Sequence, residues 1–173
     1  MFRSNPTPLG AAARGLIAGV VGTAAMTLHQ ELVSKLRDSG SDAGPSKSDE
    51  QKDPWKSAPA PAVVARRILE GVFRREVPAE KIGLAANVMH WAYGVGWGAV
   101  FGLVAGSSEN HPLKLAPPFG AAVWAASYAQ LVPMGLYEPP WTYSPQTLAN
   151  DLGYHLTYGV GVAAGYTLAD RVP

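Results

Sequence analysis

The sequence predicts an all-α protein of the membrane: a four-span transmembrane helix bundle made as a 2+2 hairpin repeat, with a cytoplasmic amphipathic helix. Three observations carry this expectation. Four stretches hold no Asp, Glu, Lys or Arg: Gly15 to Gln30, Ile82 to Ser108, Leu115 to Tyr137 and Leu152 to Ala169. A short motif recurs in the second and fourth of them. The basic residues, in turn, gather in one loop. The charge-free stretches make up nearly half of the 173 residues, so the mean hydropathy of +0.02 averages two unlike populations. A soluble amphipathic bundle needs a charged face on every helix, whereas helices apolar all round belong in lipid. A hydrocarbon core of about 30 Å asks for about 20 helical residues.

The first span is expected over about 12–34. It carries Gly15, Gly19 and Gly22, a spacing suited to helix packing in membranes. A signal peptide is the other reading of this segment. Against that reading, the apolar run continues to Leu28 and Leu32 without a clear small-x-small cleavage site.

The loop that follows divides in two. Residues 38–60 are rich in Ser, Gly, Pro, Asp and Lys and read as a flexible linker. Residues 61–76 place Val64, Ile68, Leu69, Val72 and Phe73 on one helical face, with Arg66, Arg67, Glu70 and Arg74 around the other. That pattern is an interfacial amphipathic helix whose basic face suits an anionic membrane surface, although docking on another protein uses the same pattern. Ten of the 14 Lys and Arg residues lie between Lys35 and Lys81, which puts this loop in the cytoplasm and both termini outside.

The second span is expected over 82–106 and the third over 115–137, interrupted by Pro133 with Gln130 one turn before it. Tyr137, Trp141 and Tyr143 follow as interfacial aromatics. The fourth span is expected over 145–169, because Ser144 before Pro145 reads as an N-cap and first-turn proline.

The repeat sets His90-Trp91-Ala92-Tyr93-Gly94-Val95-Gly96 against His155-Leu156-Thr157-Tyr158-Gly159-Val160-Gly161. Identity at His, Tyr, Gly, Val and Gly in register points to a duplicated hairpin. At 1.5 Å per residue, His90 lies about 12 Å and His155 about 15 Å into their spans, from the same side. Asp151 stands one turn before His155, where a carboxylate can fix the imidazole tautomer or favour its protonation. His90, His155, Asp151, Tyr93 and Tyr158 are therefore the candidate polar intramembrane site, since ionisable groups at depth are costly and point to function. Each histidine can equally serve only as a hydrogen-bonding bridge between helices. His29 reads as an interfacial residue. Gly94, Gly98, Gly102 and Gly106, with Gly161 and Gly165, are the candidate helix-packing residues, within the chain or between copies. A flat slot at Gly94 and Gly159, one turn after each histidine, leaves open a haem or transition metal held by His90 and His155.

Several classes are disfavoured. A formal charge of +1 gives no electrostatic footprint for nucleic acid. With no cysteine there is no disulfide, thiolate metal site or cysteine nucleophile. No Gly-x-Ser-x-Gly elbow, phosphate-binding loop or His-Glu-x-x-His occurs, so an enzyme is not expected.

Through His155-Leu156-Thr157-Tyr158-Gly159 to Gly165-Tyr166, the opening Gly15 to Met26 and the His90 repeat, the chain resembles small bacterial inner-membrane proteins of the YagU-like, uncharacterised type. The resemblance implies a multi-pass protein of the bacterial cytoplasmic membrane with a link to acid resistance. It covers the spans and not the first loop. The expected function is ion or solute movement, or a pH-linked stress response, through the His/Asp/Tyr cluster. The alternatives are a haem- or metal-binding protein and an accessory subunit of a membrane complex. The expected partners are the lipid bilayer and a second copy or a membrane protein; no cofactor is favoured.

Overall fold

The computed structural model describes residues 6–38 and 53–171. Among these residues it is all-helical, without strands. Its α-helices are α1 (Pro8–Asp38), α2 (Ala60–Gly71), α3 (Ile82–Gly106), α4 (Pro112–Leu131) and α5 (Pro145–Ala169). Two segments, Pro8–Arg37 and Ala79–Gly106, are long and apolar enough to cross a membrane. α4 and α5 fall short of the same hydropathy, which is unsurprising for α5 with Gln146, Asn150, Asp151 and His155 in its first half.

The helix ends follow local chemistry. α1 runs past the expected 12–34 at both ends. Of the expected linker 38–60, residues 39–52 lie outside the described residues, while 54–57 form a 3₁₀ turn in which Asp53 accepts the Trp55 N–H at 3.1 Å. The helix expected over 61–76 is shorter than predicted, because Gly71 is a poor helix former and the chain then turns. At that turn Arg74 takes φ 51° and the Arg75 N–H donates to the Leu69 carbonyl at 3.0 Å. A left-handed non-glycine residue costs about 1 kcal/mol.

α4 also corrects its expected span of 115–137. It starts at Pro112, after His111, whose Nδ1 accepts the Leu113 N–H, and it stops at Leu131. Val132 is still helical, with its N–H on the Tyr128 carbonyl, and Pro133, which has no N–H to continue the ladder, closes the helix instead of kinking it. Gly135 at φ 68° completes the reversal. α5 begins where its cap signal lies, with the Ser144 hydroxyl accepting the Thr147 N–H at 3.2 Å.

The chain divides into two compact units: Met1–Gln30 with Trp91–Pro173, and Glu31–His90. In the first unit, α5 meets α1, α3 and α4. It runs parallel to α3, since Tyr158 reaches Gly94 while Tyr166 packs on Phe101. It runs antiparallel to α1, with Gly22 at Gly161 and Ala18 at Gly165, and antiparallel to α4, with Gly120 at Gly159. α1 and α3 are antiparallel too, Gly15 facing Gly98 and Gly102 while Gly19 faces Gly94 and Val95.

These contacts join backbone to backbone. A methyl group on Gly98 would overlap Gly15 and Gly19, and one on Gly102 would overlap the backbone of Ala11 and Gly15. On Gly161 it would stand 2.9 Å from the Gly22 Cα, and on Gly165 3.1 Å from the Ala18 Cα. Gly94 leaves room for the Thr23 side chain, and a methyl group on Gly106 would press on Ala11.

Burial is inverted relative to a protein with an aliphatic core. Among the described residues no Leu or Ile is buried; the interior is Ala, Gly, Tyr and Phe101, with Met26, Val123 and Val162, and includes Thr23, Ser127 and His155. Leu16, Ile17, Val20 and Val21 of α1, Val100, Leu103 and Val104 of α3, and Val160 and Leu168 of α5 face outward.

In the second unit, Arg66 donates from Nε to Glu70 at 2.8 Å, and its guanidinium lies 4.7 Å from the centroid of Trp55. Ala62 is the buried residue of α2, whereas Ile68, Leu69, Val72 and Phe73 are exposed.

Gly98→Ala should lower stability by about 1–3 kcal/mol, the usual cost of forcing a group into a filled interface. Gly96→Ala, which meets open space, should be neutral or stabilising by up to about 1 kcal/mol. Thermal unfolding in mild detergent checks both; equal effects would contradict the packing described.

Candidate functional site

The polar side chains of the first unit concentrate near one end of α5, and Asp151 is their centre. Its Oδ2 accepts two hydrogen bonds from α4, from the Trp124 indole N–H and from the Tyr128 hydroxyl, each at 3.0 Å. These donors sit one turn apart on α4, so both reach one carboxylate from the same helical face. Tyr128 is buried and held by rings, with Trp124, Tyr137 and Tyr143 packed edge-on at 5.3–6.0 Å between centroids.

His155 is buried on the next turn of α5. Its Nδ1 lies 2.8 Å from the Asp151 carbonyl oxygen and 3.6 Å from the carboxylate Oδ1. A carbonyl can only accept, so Nδ1 carries the proton and Nε2 is the nitrogen left to take one up. The tautomer is thus fixed by the backbone of Asp151 and not by its side chain as the spacing suggested. Oδ1 of Asp151 thus faces the imidazole, and Oδ2 takes the two bonds from α4.

A second histidine joins this end of the unit. His29 of α1 has Nδ1 2.8 Å from the Thr157 hydroxyl, which itself donates to the Gly153 carbonyl at 3.0 Å. The hydroxyl proton is therefore committed, and His29 donates from Nδ1. Its ring also stands edge-on to Tyr154 at 5.0 Å. His29, read from the sequence as interfacial, is thus a specific link from α1 to α5.

The two tyrosines of the repeat have diverged. Tyr158 is buried and donates to the Gly94 carbonyl at 2.6 Å, tying α5 to α3. Tyr93 accepts from the Gln130 amide at 3.2 Å, tying α3 to α4. His90 is half-buried on α3 and belongs to the second unit. At the opposite end of α5, Arg14 of α1 donates to Asp170 at 2.8 Å.

The structure thus brings Asp151 and His155 together and adds Trp124, Tyr128, His29 and Thr157. The slots expected for a haem are filled by protein: Thr23 occupies the one at Gly94, and the Ala116 carbonyl with Gly120 occupies the one at Gly159. A macrocycle has no room at either glycine. Among the described residues no group of three or more His, Cys, Asp or Glu is placed to hold a metal ion.

Nitrogen-15 NMR of imidazole-labelled protein should show His155 with a protonated Nδ1 and, in the neutral form, a bare Nε2. The opposite tautomer would contradict the arrangement described.

No protein-family model, curated protein or solved structure matches this chain.

Proposed function

We propose that this chain is a four-span integral protein of the bacterial cytoplasmic membrane that couples pH to the movement of an ion or small solute, the Asp151–His155 pair being the coupling element. The observation that carries the reading is a part-buried His–Asp pair among helices that turn aliphatic residues outward, chiefly on α1 and α3 with Val160 and Leu168 on α5. Ionisable groups in such surroundings are costly and mark a pathway or a sensor. Histidine is the side chain whose ordinary titration falls in the physiological range.

The pair is bonded to α4 and lies close to the link to α1. Asp151 holds α4 through Trp124 and Tyr128, and Thr157, two residues beyond His155, holds α1 through His29. A proton arriving at Nε2 of His155 adds a positive charge beside Oδ1 and strengthens the hold of that carboxylate at the expense of its bonds to α4. That shifts the balance between two packings of one end of the bundle. The outward faces of α4 and α5 would meet lipid together with those of α1 and α3. Association with a second copy or another membrane protein would use these faces, because Gly98 and Gly102 already face α1. The pH-linked role agrees with the acid-resistance link that the resemblance to YagU-like proteins implies.

Protein reconstituted in vesicles with an internal pH-sensitive dye tests this. His155→Ala and Asp151→Asn should each reduce the pH-dependent part of the flux by about five- to a hundredfold, the range of ordinary site-to-site coupling. Helicity and elution volume in detergent should not change. An unaltered pH dependence in both variants would overturn the proposal.

A further inference from the structure

We propose that the end of α2 and the turn after it dock on the membrane surface by binding the phosphate groups of anionic lipids, with Val72 and Phe73 entering the boundary between headgroups and acyl chains. The proposal rests on the reading of α3 as a membrane span. Beside the turn lies an open groove of about 760 Å³ lined by Arg66, Arg74 and Arg75 together with Glu70 and Glu76. Arg66 is committed to Glu70 and to the face of Trp55, so these two charges offset one another. Arg74 and Arg75 then face the groove against the single carboxylate of Glu76. Guanidinium groups lining one groove offer forked N–H donors, which suit the oxygens of a phosphate.

The apolar residues argue that the phosphate belongs to a lipid. Val72 is 71% and Phe73 62% exposed, with Ile68 and Leu69 also open to the surroundings. An exposed aromatic and aliphatic tip flanked by arginines is the composition of a segment lying in the interface plane. A groove for free phosphate has no use for such a tip. The backbone agrees: after α2 closes at Gly71, the left-handed Arg74 turns the chain, and Arg74 and Arg75 line the groove in place of another helical turn. Six residues lie between Arg75 and Ile82, the start of α3. Fully extended, the seven steps span no more than about 25 Å, so the turn is tethered near the surface of a bilayer that α3 crosses.

The chain has no cysteine, which makes a single labelling site easy to introduce. Full-length Phe73→Cys, carrying an environment-sensitive fluorophore, is reconstituted in vesicles of phosphatidylcholine alone or mixed with phosphatidylglycerol. The expected result is apolar, blue-shifted emission that grows with the anionic lipid and is unaffected by millimolar inorganic phosphate. Arg74→Gly, which keeps the turn, and Arg75→Gln should each lower the ratio of docked to undocked tip by about fivefold. A label on Leu103→Cys, on the outward face of α3, reports the span by itself and should be apolar in both vesicles.

Aqueous emission at Phe73→Cys in both vesicles, with Leu103→Cys still apolar, would overturn the docking proposal alone and leave the tip to a protein partner. Displacement by inorganic phosphate would overturn it in favour of a soluble phosphate ligand. Aqueous emission at both positions would overturn the span and the docking together.

Discussion

The contact of helix backbone with helix backbone at glycine is the constraint from which the rest of the first unit follows. Where Gly15 and Gly19 meet Gly98 and Gly102, where Gly22 meets Gly161 and where Gly120 meets Gly159, there is no space for a branched side chain. Leu and Ile are therefore displaced outward, and the interior is left to small residues and flat rings. Association of this kind gains from close van der Waals contact and from carbonyls within reach of hydroxyls, as in the bond from Tyr158 to Gly94. It gains little from withdrawing aliphatic surface from water, because that surface stays outside. In water, so many exposed aliphatic side chains would be a liability. A bilayer removes that liability, which is why the membrane reading and the glycine contacts support one another.

The same constraint locates the polar site. Close approach of α4 and α5 holds from Gly159 to Gly120 and His155, and beyond that point α4 carries Trp124 and Tyr128 in place of glycine. Large rings then occupy the space between the helices, and their N–H and O–H groups need acceptors. Asp151 satisfies both, the Asp151 carbonyl satisfies His155, and Thr157 satisfies His29. His155 thereby stands between the carbonyl and the carboxylate of one residue, Asp151, and that contact is the one on which the proposed function depends.

The sequence was most informative where a signal is local. Ser144 before Pro145 marks the start of α5, and the charge-free run from Ile82 marks α3 closely. It was less informative where charge was used as a boundary: Lys114 and Glu31 lie inside helices, so α1 and α4 begin or end away from the charge-free edges. Pro133 was read as a kink because the apolar run continues past it, yet the missing N–H ends the helix. The turn after α2 depends on Arg74 adopting a left-handed conformation, which no residue pattern announces. Asp151 and His155 were legible because they lie one turn apart on one helix. Trp124 and Tyr128 were not, since their meeting with Asp151 is a product of the α4–α5 register and leaves no mark in spacing. The glycine ladders were legible as packing devices, but their partners were not; the slots at Gly94 and Gly159, which suggested a cofactor, are where neighbouring helices sit.

The central claim of the proposed function is that the outer faces of α1, α3, α4 and α5 all lie in lipid. The direct measurement is the reactivity of single cysteines with a membrane-impermeant thiol reagent on reconstituted protein, in sealed and in permeabilised vesicles. Ile17→Cys, Val100→Cys, Ala122→Cys and Val160→Cys sample one exposed position on each helix, and Trp141→Cys samples an exposed turn. The account predicts that Trp141→Cys reacts while the other four resist the reagent under both conditions. Reaction at Ala122→Cys and Val160→Cys at the rate of Trp141→Cys would contradict it, leaving α1 and α3 as the only spans.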